Sequence, residues 1–270
     1  MRALNIAHRG GAALWPENSR AAFENAIAQG CDGAELDVQL SRDGVAVVHH
    51  DFRLKAGLAR KDGVWLTAPG PRIKDLTFAA LQDWDIGAPA PGSAYAAAHP
   101  LLRAEEGARI PALAEIAALA ASAPNPFTLF VELKCDASDD SADPNELADA
   151  AHAVIAAAGV PAIFVGFDWR ALARIRARAP DSEVWFTTDK LQGDARGVID
   201  GIAAAGATGW FANYPDATPE IIAHARGKGL KVGAWTVNDA AAMRRLADLD
   251  AICTDRPDLL GSLKAFKQRG

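Results

Sequence analysis

The chain has 270 residues, 50% of them hydrophobic and 23% charged, with a net charge of −6. That length suits one large core or a single α/β barrel, and an acidic chain with no basic stripe among its aromatics gives nucleic-acid binding no support. The three cysteines, Cys31, Cys135 and Cys253, show no CxxC spacing, which argues against a disulfide or zinc framework and for a reducing compartment.

Leu4 to His8 reads as the first strand and runs into Arg9 and two glycines. No leader pattern precedes it and no apolar run approaches a membrane span, so a soluble, cytoplasmic chain without membrane insertion is expected. A loop with Trp15-Pro16-Glu17-Asn18 follows. Ser19 can cap a helix to about Gln29, with Ala22, Phe23, Ala26 and Ile27 at helical spacing. Ala34 to Leu40 reads as a buried strand, yet it carries Glu35 and Asp37 on one face and Leu36 and Val38 on the other. Two carboxylates on a buried face repel each other, and a metal is their most economical partner. Ser41-Arg42-Asp43-Gly44 reads as a hairpin turn into Val45 to His50. With Leu40 opposite Val45, Val38 faces Val47 and Glu35 faces His50; a slip of one residue would present His49 instead.

Residues 52–110 break the rhythm, with scattered Gly, Pro and Ala and one weak helix near Leu76 to Asp83. The stretch is too long for an ordinary connection and reads as an insertion over one mouth of the fold. The alternation then resumes. Helices are expected at Ala112–Ala121, Glu146–Ala158, Trp169–Arg178, Arg196–Ala205, Pro219–Lys228 and Ala240–Leu246, and a short one closes the chain. The strands between them are Thr128–Lys134, Ala162–Phe167, Glu183–Thr188, Trp210–Asn213, Lys231–Val237 and Ala251–Thr254. With the hairpin arm folded back, eight strand–helix units remain, the count of a (β/α)8 TIM barrel within one domain, 1–270. An open doubly wound sheet would want a Gly-rich phosphate loop after a strand, and none is present.

In a barrel the C-terminal strand ends carry His8-Arg9, Glu35-Asp37, Glu132-Lys134, Asp168, Asn213, Trp235 and Asp255. Val131-Glu132-Leu133-Lys134 repeats the pattern of the second strand and adds a third carboxylate. An all-oxygen set suits Mg2+ or Ca2+ rather than zinc. Arg9 and Lys134 beside such a metal make a receptor for phosphate, and His8 and His50 can serve as general acid and base. Taken singly, each has a plainer reading. An inward histidine is commonly a hydrogen-bonded core residue, Glu-x-Asp can be a solvated edge, Lys134 can simply neutralise Glu132, and His49 is read as structural.

The chain resembles the glycerophosphodiester phosphodiesterases over essentially its full length. The matching segments are His8-Arg9-Gly10, Pro16-Glu17-Asn18-Ser19 with Ala22-Phe23, Glu35-Leu36-Asp37-Val38, Asp43-Gly44 and His50-Asp51. Further on come Ile110-Pro111-x-Leu113-x-Glu115, Val131-Glu132-Leu133-Lys134, Trp235-Thr236-Val237-Asn238 and Thr254-Asp255-x-Pro257. The resemblance implies a divalent metal (Mg2+ or Ca2+) on Glu35, Asp37 and Glu132. It implies phosphate on Arg9 and Lys134, an acid–base pair of His8 and His50, and glycerol packed on Trp235. The chain departs from the family with Gly166 where Ser is usual before Phe-Asp, and with Leu54-Lys55-Ala56-Gly57 where Leu-x-Arg-x-Thr is common. The activity implied is metal-dependent hydrolysis of a small glycerophosphodiester to an alcohol and sn-glycerol 3-phosphate. The rivals are a phospholipase D-like or lysophospholipase D activity, for which Leu54, Leu58, Val64, Trp65 and Leu66 could form an apolar groove, and a catalytically silent metabolite-binding barrel. The residues give no oligomeric state.

Overall fold

The computed structural model describes residues 3–138 and 140–267. In chain order the first elements are β1 (Leu4–Ala7), α1 (Arg20–Ala28), β2 (Gly33–Leu40) and β3 (Ala46–Val48). Residues 52–110 carry only short pieces: β4 (Arg60–Lys61), β5 (Val64–Trp65), α2 (Phe78–Leu81) and α3 (Ala94–Ala98). Then follow α4 (Leu113–Ala121), β6 (Thr128–Leu133), α5 (Pro144–Ala158), β7 (Ala162–Gly166), α6 (Trp169–Arg178) and β8 (Glu183–Thr188). The chain continues with α7 (Ala195–Ala204), β9 (Gly209–Asn213), α8 (Pro219–Gly227), β10 (Lys231–Trp235), α9 (Ala240–Arg245), β11 (Ala251–Thr254) and α10 (Pro257–Lys267).

Eight of these strands, β1, β2 and β6 through β11, pair in parallel and close on themselves through β1–β2 and β1–β11, which is a TIM barrel. Several of the helices between them start where a side chain supplies an acceptor: Ser19, Asp143, Asp168 and Thr218 each take a backbone N–H of the first turn of α1, α5, α6 and α8. Strand alternation sorts the apolar residues into two layers. Leu36, Val38, Val131 and Leu133 face outward and pack with Phe23, Leu113 and Leu147 of the helices. Ile6, Phe130, Val165, Trp185 and Phe211 fill the lumen. The Trp185 indole lies so close to β9 and β10 that a Cβ on Gly209 would stand 2.6 Å from it and one on Gly233 2.8 Å. Those two glycines are what let so large a ring sit in the lumen.

Two expectations are corrected here. The hairpin register is shifted by one residue: Leu40 pairs with Ala46, Gln39 with Val47 and Val38 with Val48. Ser41 joins the ladder, since its N–H donates to Val45 O at 3.0 Å and its Oγ accepts from Val45 N at 3.0 Å. The loop is therefore the three residues Arg42, Asp43 and Gly44, with Gly44 at φ 77°. The ladder then ends at Val48, with a last bond from His49 N to Asp37 O at 2.9 Å. The chain bends at once, so His49 is buried and the half-buried His50 is carried onward. Second, the helix expected at Leu76–Asp83 shrinks to Phe78–Leu81, because Thr77 caps it and Ile73–Asp75 forms a separate 3-10 turn. Residues 52–110 hold a small apolar cluster of their own, in which Leu54, Ala59, Ile73, Leu81 and Ile86 pack on Val47 of β3.

Removing the ring from the lumen leaves a void that the closed barrel cannot collapse into. Trp185→Ala should lower the unfolding free energy by about 3–5 kcal/mol in denaturant titration; a loss below about 1 kcal/mol would show that the indole does not hold the barrel centre.

Candidate active site

The neighbouring strands β2 and β6 build the acidic centre. Their parallel register sets Asp37 beside Glu132, and Glu35 stands two residues earlier on the same face. One oxygen from each of Glu35, Asp37 and Glu132 lies within 4.8 Å of the others. Burial pushes the Glu35 carboxyl well above its ordinary 4.5, the Asp37 and Glu132 charges push it further, and Arg9 opposes them. Burial works on Asp37 in the same direction, but Arg9, His50, Lys134 and the Asn18 amide outweigh it and hold that carboxyl below its ordinary value. Asn18, at φ 56°, donates from Nδ2 to Asp37 Oδ2 at 2.7 Å and accepts the Asp37 N–H at 3.3 Å. Glu35 Oε1 and Asp37 Oδ1 remain buried with no hydrogen-bond partner. Two orphaned carboxylate oxygens beside a third carboxylate form a hard, all-oxygen donor set that fits a divalent cation such as Mg2+ or Ca2+.

Two permanent cations stand against this cluster. His8 to Gly10 form a 3-10 turn after β1, and Arg9 there adopts a left-handed φ of 51°. That conformation turns its N–H onto Glu35 Oε2 at 3.1 Å. Its guanidinium lies between Asp37, with Nε 3.3 Å from Oδ2, and Glu17, with Nη1 3.2 Å from Oε1. Lys134, just past the end of β6, places Nζ 2.8 Å from Glu132 Oε1 and 3.8 Å from Asp37 Oδ1. Burial alone would lower both cations, but the surrounding carboxylates raise both above their ordinary values.

Each of the two expected histidines is backed by a carboxylate. His8 Nδ1 lies 2.6 Å from Asp255 Oδ1, with Nε2 3.8 Å from Glu35 Oε2. His50 Nδ1 lies 2.6 Å from Asp51 Oδ1. Such pairing fixes each ring through Nδ1. Beside His50 opens a cavity of about 540 Å³ whose wall includes Asp51, Arg53, Lys55, Lys134 and Asp140. His49 is different. It is fully enclosed, burial pushes its imidazole down to about 4, and its Nε2 has no partner. Trp235 is half-buried on the lumen cluster, donates from Nε1 to Phe211 O at 3.3 Å, and meets Phe167 edge-on at 5.3 Å between centroids. Phe167 is exposed and carries Lys134 Nζ 5.9 Å from its ring centroid, so the two rings form an apolar wall next to the cations.

The residues named from the sequence thus lie at one mouth of the barrel, with two exceptions in role. Asp168 caps α6 and pairs with Arg170, and Asn213 bonds Asp189 at 2.6 Å, so both are taken up by the rim. The sequence reading gave no role to Asp51, Asp255, Glu17, Asn18, Asn238 or Tyr95. Asn238 holds Asp255 from the side, with Nδ2 2.6 Å from Oδ2. Carboxylates next to or far from a histidine give no spacing signal; only the loop conformations bring them into contact.

The C-terminal mouth of this TIM barrel therefore carries an acidic cluster of metal-ligand composition flanked by fixed cations and carboxylate-backed histidines. The family model for the glycerophosphoryl diester phosphodiesterase family matches residues 8–259, and the chain belongs to that family. A glycerophosphodiester phosphodiesterase of Caldanaerobacter subterraneus subsp. tengcongensis is 29% identical over 97% of this chain and 98% of its own. The crystal structure of a putative glycerophosphoryl diester phosphodiesterase from Silicibacter pomeroyi superposes with a TM-score of 0.86, at 29% identity over 97% of this chain and 95% of that one. An Oleispira antarctica phosphodiesterase, solved with the product sn-glycerol-3-phosphate, has the same fold at a TM-score of 0.77 and 24% identity, over 96% of both chains.

The raised Glu35 carboxyl sets a sign for stability. The folded protein holds a proton there that the unfolded chain releases, so in chelator its stability should fall as pH rises above 4.5. Glu35→Gln should flatten that fall. A bound cation should reverse it in the parent chain, adding about 2.7 kcal/mol at 100 times its Kd, and the same cation should add much less to Glu35→Gln. Equal thermal shifts with Mg2+ or Ca2+ in the two proteins would remove Glu35 from the cation site.

Proposed function

We propose that this enzyme hydrolyses small glycerophosphodiesters to an alcohol and sn-glycerol 3-phosphate with the help of a divalent cation. One observation carries the reading: in a chain of this family, Glu35, Asp37 and Glu132 converge beside Arg9 and Lys134, with His8 3.8 Å from Glu35 and His50 in the cavity wall that Lys134 shares. The product held by the Oleispira antarctica phosphodiesterase supports the same product here.

A cation held by Glu35, Asp37 and Glu132 would supply Lewis-acid polarisation of a phosphoryl oxygen. Arg9 and Lys134 would bind the non-bridging oxygens and oppose the charge that grows on them in the transition state. Trp235 offers its face to the glycerol carbons. One histidine takes the proton of the attacking hydroxyl as its oxygen bonds to phosphorus, and the other gives a proton to the alkoxide as the P–O bond breaks. Among the described residues of the site no serine is poised as a nucleophile, and Cys253 lies in the lumen with its thiol pushed well up by burial. The attacking group is then water or the neighbouring glycerol hydroxyl. Proximity favours the hydroxyl, by up to roughly 7–11 kcal/mol in well-oriented cases. The resulting cyclic phosphate is opened by water with the two histidines in exchanged roles.

Most of the side chains that could have formed a lipid groove are turned inward, Val64 excepted at 71% exposure. Leu54 and Leu58 are fully buried, and Leu66 packs on the apolar cluster of residues 52–110. Trp65 donates to Ala88 O at 2.9 Å, and the cavity beside His50 carries the charged groups of Asp51, Arg53, Lys55, Lys134 and Asp140 among its apolar walls. We take residues 52–110 as an insertion covering that side of the mouth. Among the described residues no helix is long and apolar enough to cross a membrane. A cytoplasmic setting belongs to the same proposal and is supported by three buried, unpaired cysteines.

A panel of glycerophosphodiesters should release sn-glycerol 3-phosphate with Mg2+ or Ca2+ and not in excess chelator. His50→Ala should lower kcat by roughly 10²–10⁴ without loss of fold, and His49→Ala far less; the reverse order would move the acid–base role to His49. A 2-deoxy analogue of the best substrate should bind as a competitive inhibitor and be cleaved very slowly, and equal kcat values would leave direct attack by water.

A further inference from the structure

Glu17 lies in the loop ahead of α1 and is almost wholly enclosed, at 5% exposure. Its carboxylate collects donors from three separate parts of the chain. Arg9 Nη1 and Lys55 Nζ reach Oε1 at 3.2 and 2.8 Å, and the Tyr95 hydroxyl of α3 donates to Oε2 at 2.9 Å. Burial would raise Glu17, but Arg9 and Lys55 bring it down to about 2, so it is a fixed anion. Lys55 Nζ also lies 3.5 Å from Asp51 Oδ2, and the other oxygen of Asp51 holds His50 Nδ1. A continuous run of charge contacts therefore joins Arg9, Glu17, Lys55, Asp51 and His50. Its middle member is confined: the Lys55 side chain is 20% exposed and its ammonium lies 5.4 Å from the centroid of the Tyr95 ring, which is itself stacked on His99 at 4.2 Å.

Without the Lys55 ammonium, Glu17 would have Arg9 as its sole charged donor and would compete with Asp37 and with any bound phosphate for the guanidinium. Asp51 would lose the cation that shares its charge with His50. Resting on the phosphodiesterase reading above, we propose that Lys55 is a positioning residue that braces the two halves of the site, setting the Arg9 guanidinium through Glu17 and the His50 ring through Asp51. The Tyr95 hydroxyl serves the Glu17 arm alone.

The test compares Lys55→Met, Lys55→Arg and Tyr95→Phe with the parent chain. It reads kcat and KM on a glycerophosphodiester, and the binding of inorganic phosphate by calorimetry at the same Mg2+ concentration. Lys55→Met should lower kcat and weaken phosphate binding by roughly tenfold each, the size expected for one charge-assisted hydrogen bond. Lys55→Arg should restore both. Tyr95→Phe should raise KM and weaken phosphate several-fold while kcat stays within about twofold, since it loses one neutral donor on the Arg9 side only. If Lys55→Met fails to fold, the split in Tyr95→Phe and the retained activity of Lys55→Arg decide the matter. A folded Lys55→Met with unchanged kcat and unchanged phosphate affinity overturns the brace, as does a Tyr95→Phe that loses kcat and binds phosphate normally. The two readings fail separately. A parent chain that binds phosphate, loses it in Lys55→Met and yet cleaves no glycerophosphodiester removes the hydrolase reading and keeps the brace. An active parent with an unaffected Lys55→Met does the opposite.

Discussion

Three carboxylate side chains forced together in the mouth of a barrel repel one another, and the surroundings are arranged to answer that repulsion. Glu35 and Asp37 are buried, so water screens little of it. Arg9 and Lys134 supply two fixed positive charges against the carboxylates of Glu35, Asp37 and Glu132, and part of Arg9 is claimed by Glu17. The remaining imbalance appears as the raised Glu35 carboxyl and as two buried oxygens with no hydrogen bond. A divalent cation held there would resolve both. The same excess of charge would then become useful, because cation, guanidinium and ammonium together would face a bound phosphate.

The fold makes this arrangement possible by bringing β1, β2 and β6 side by side although they are separated in sequence. Inward positions low in the lumen are apolar and carry Ile6, Phe130 and Trp185. Those at the C-terminal ends are acidic. The loops above the strands then do the fine placement through two strained residues, Arg9 at φ 51° and Asn18 at φ 56°. Arg9 gives its backbone N–H to Glu35 and Asn18 gives its amide to Asp37, so the left-handed turns hold the carboxylates from both sides. Residues 52–110 reach Glu17, which holds the Arg9 guanidinium, through Lys55 and Tyr95.

How much of this was legible in the sequence depended on whether a period carried it. The eight strand–helix units and the shared face of Glu35, Asp37 and Glu132 follow from periods of 3.6 and 2.0 that the chain displays openly. The hairpin register did not follow, because a Ser that hydrogen-bonds its own turn can extend the ladder by one residue without changing any apolar pattern. His50 still reaches the site side of the bend because β3 stops at Val48, which no propensity signals. The partners of the histidines were also hidden. Asp255 is 247 residues from His8 and Tyr95 is 78 from Glu17, and only closure of the barrel and the path of residues 52–110 make them neighbours.

The most direct test of the account is anomalous scattering from crystals grown with Mn2+ and soaked with sn-glycerol 3-phosphate. The account predicts a manganese peak bound by one oxygen each from Glu35, Asp37 and Glu132, with the phosphate within hydrogen-bond reach of Arg9 and Lys134. Manganese bound away from those three carboxylates, or phosphate seated away from Arg9 and Lys134, would contradict it.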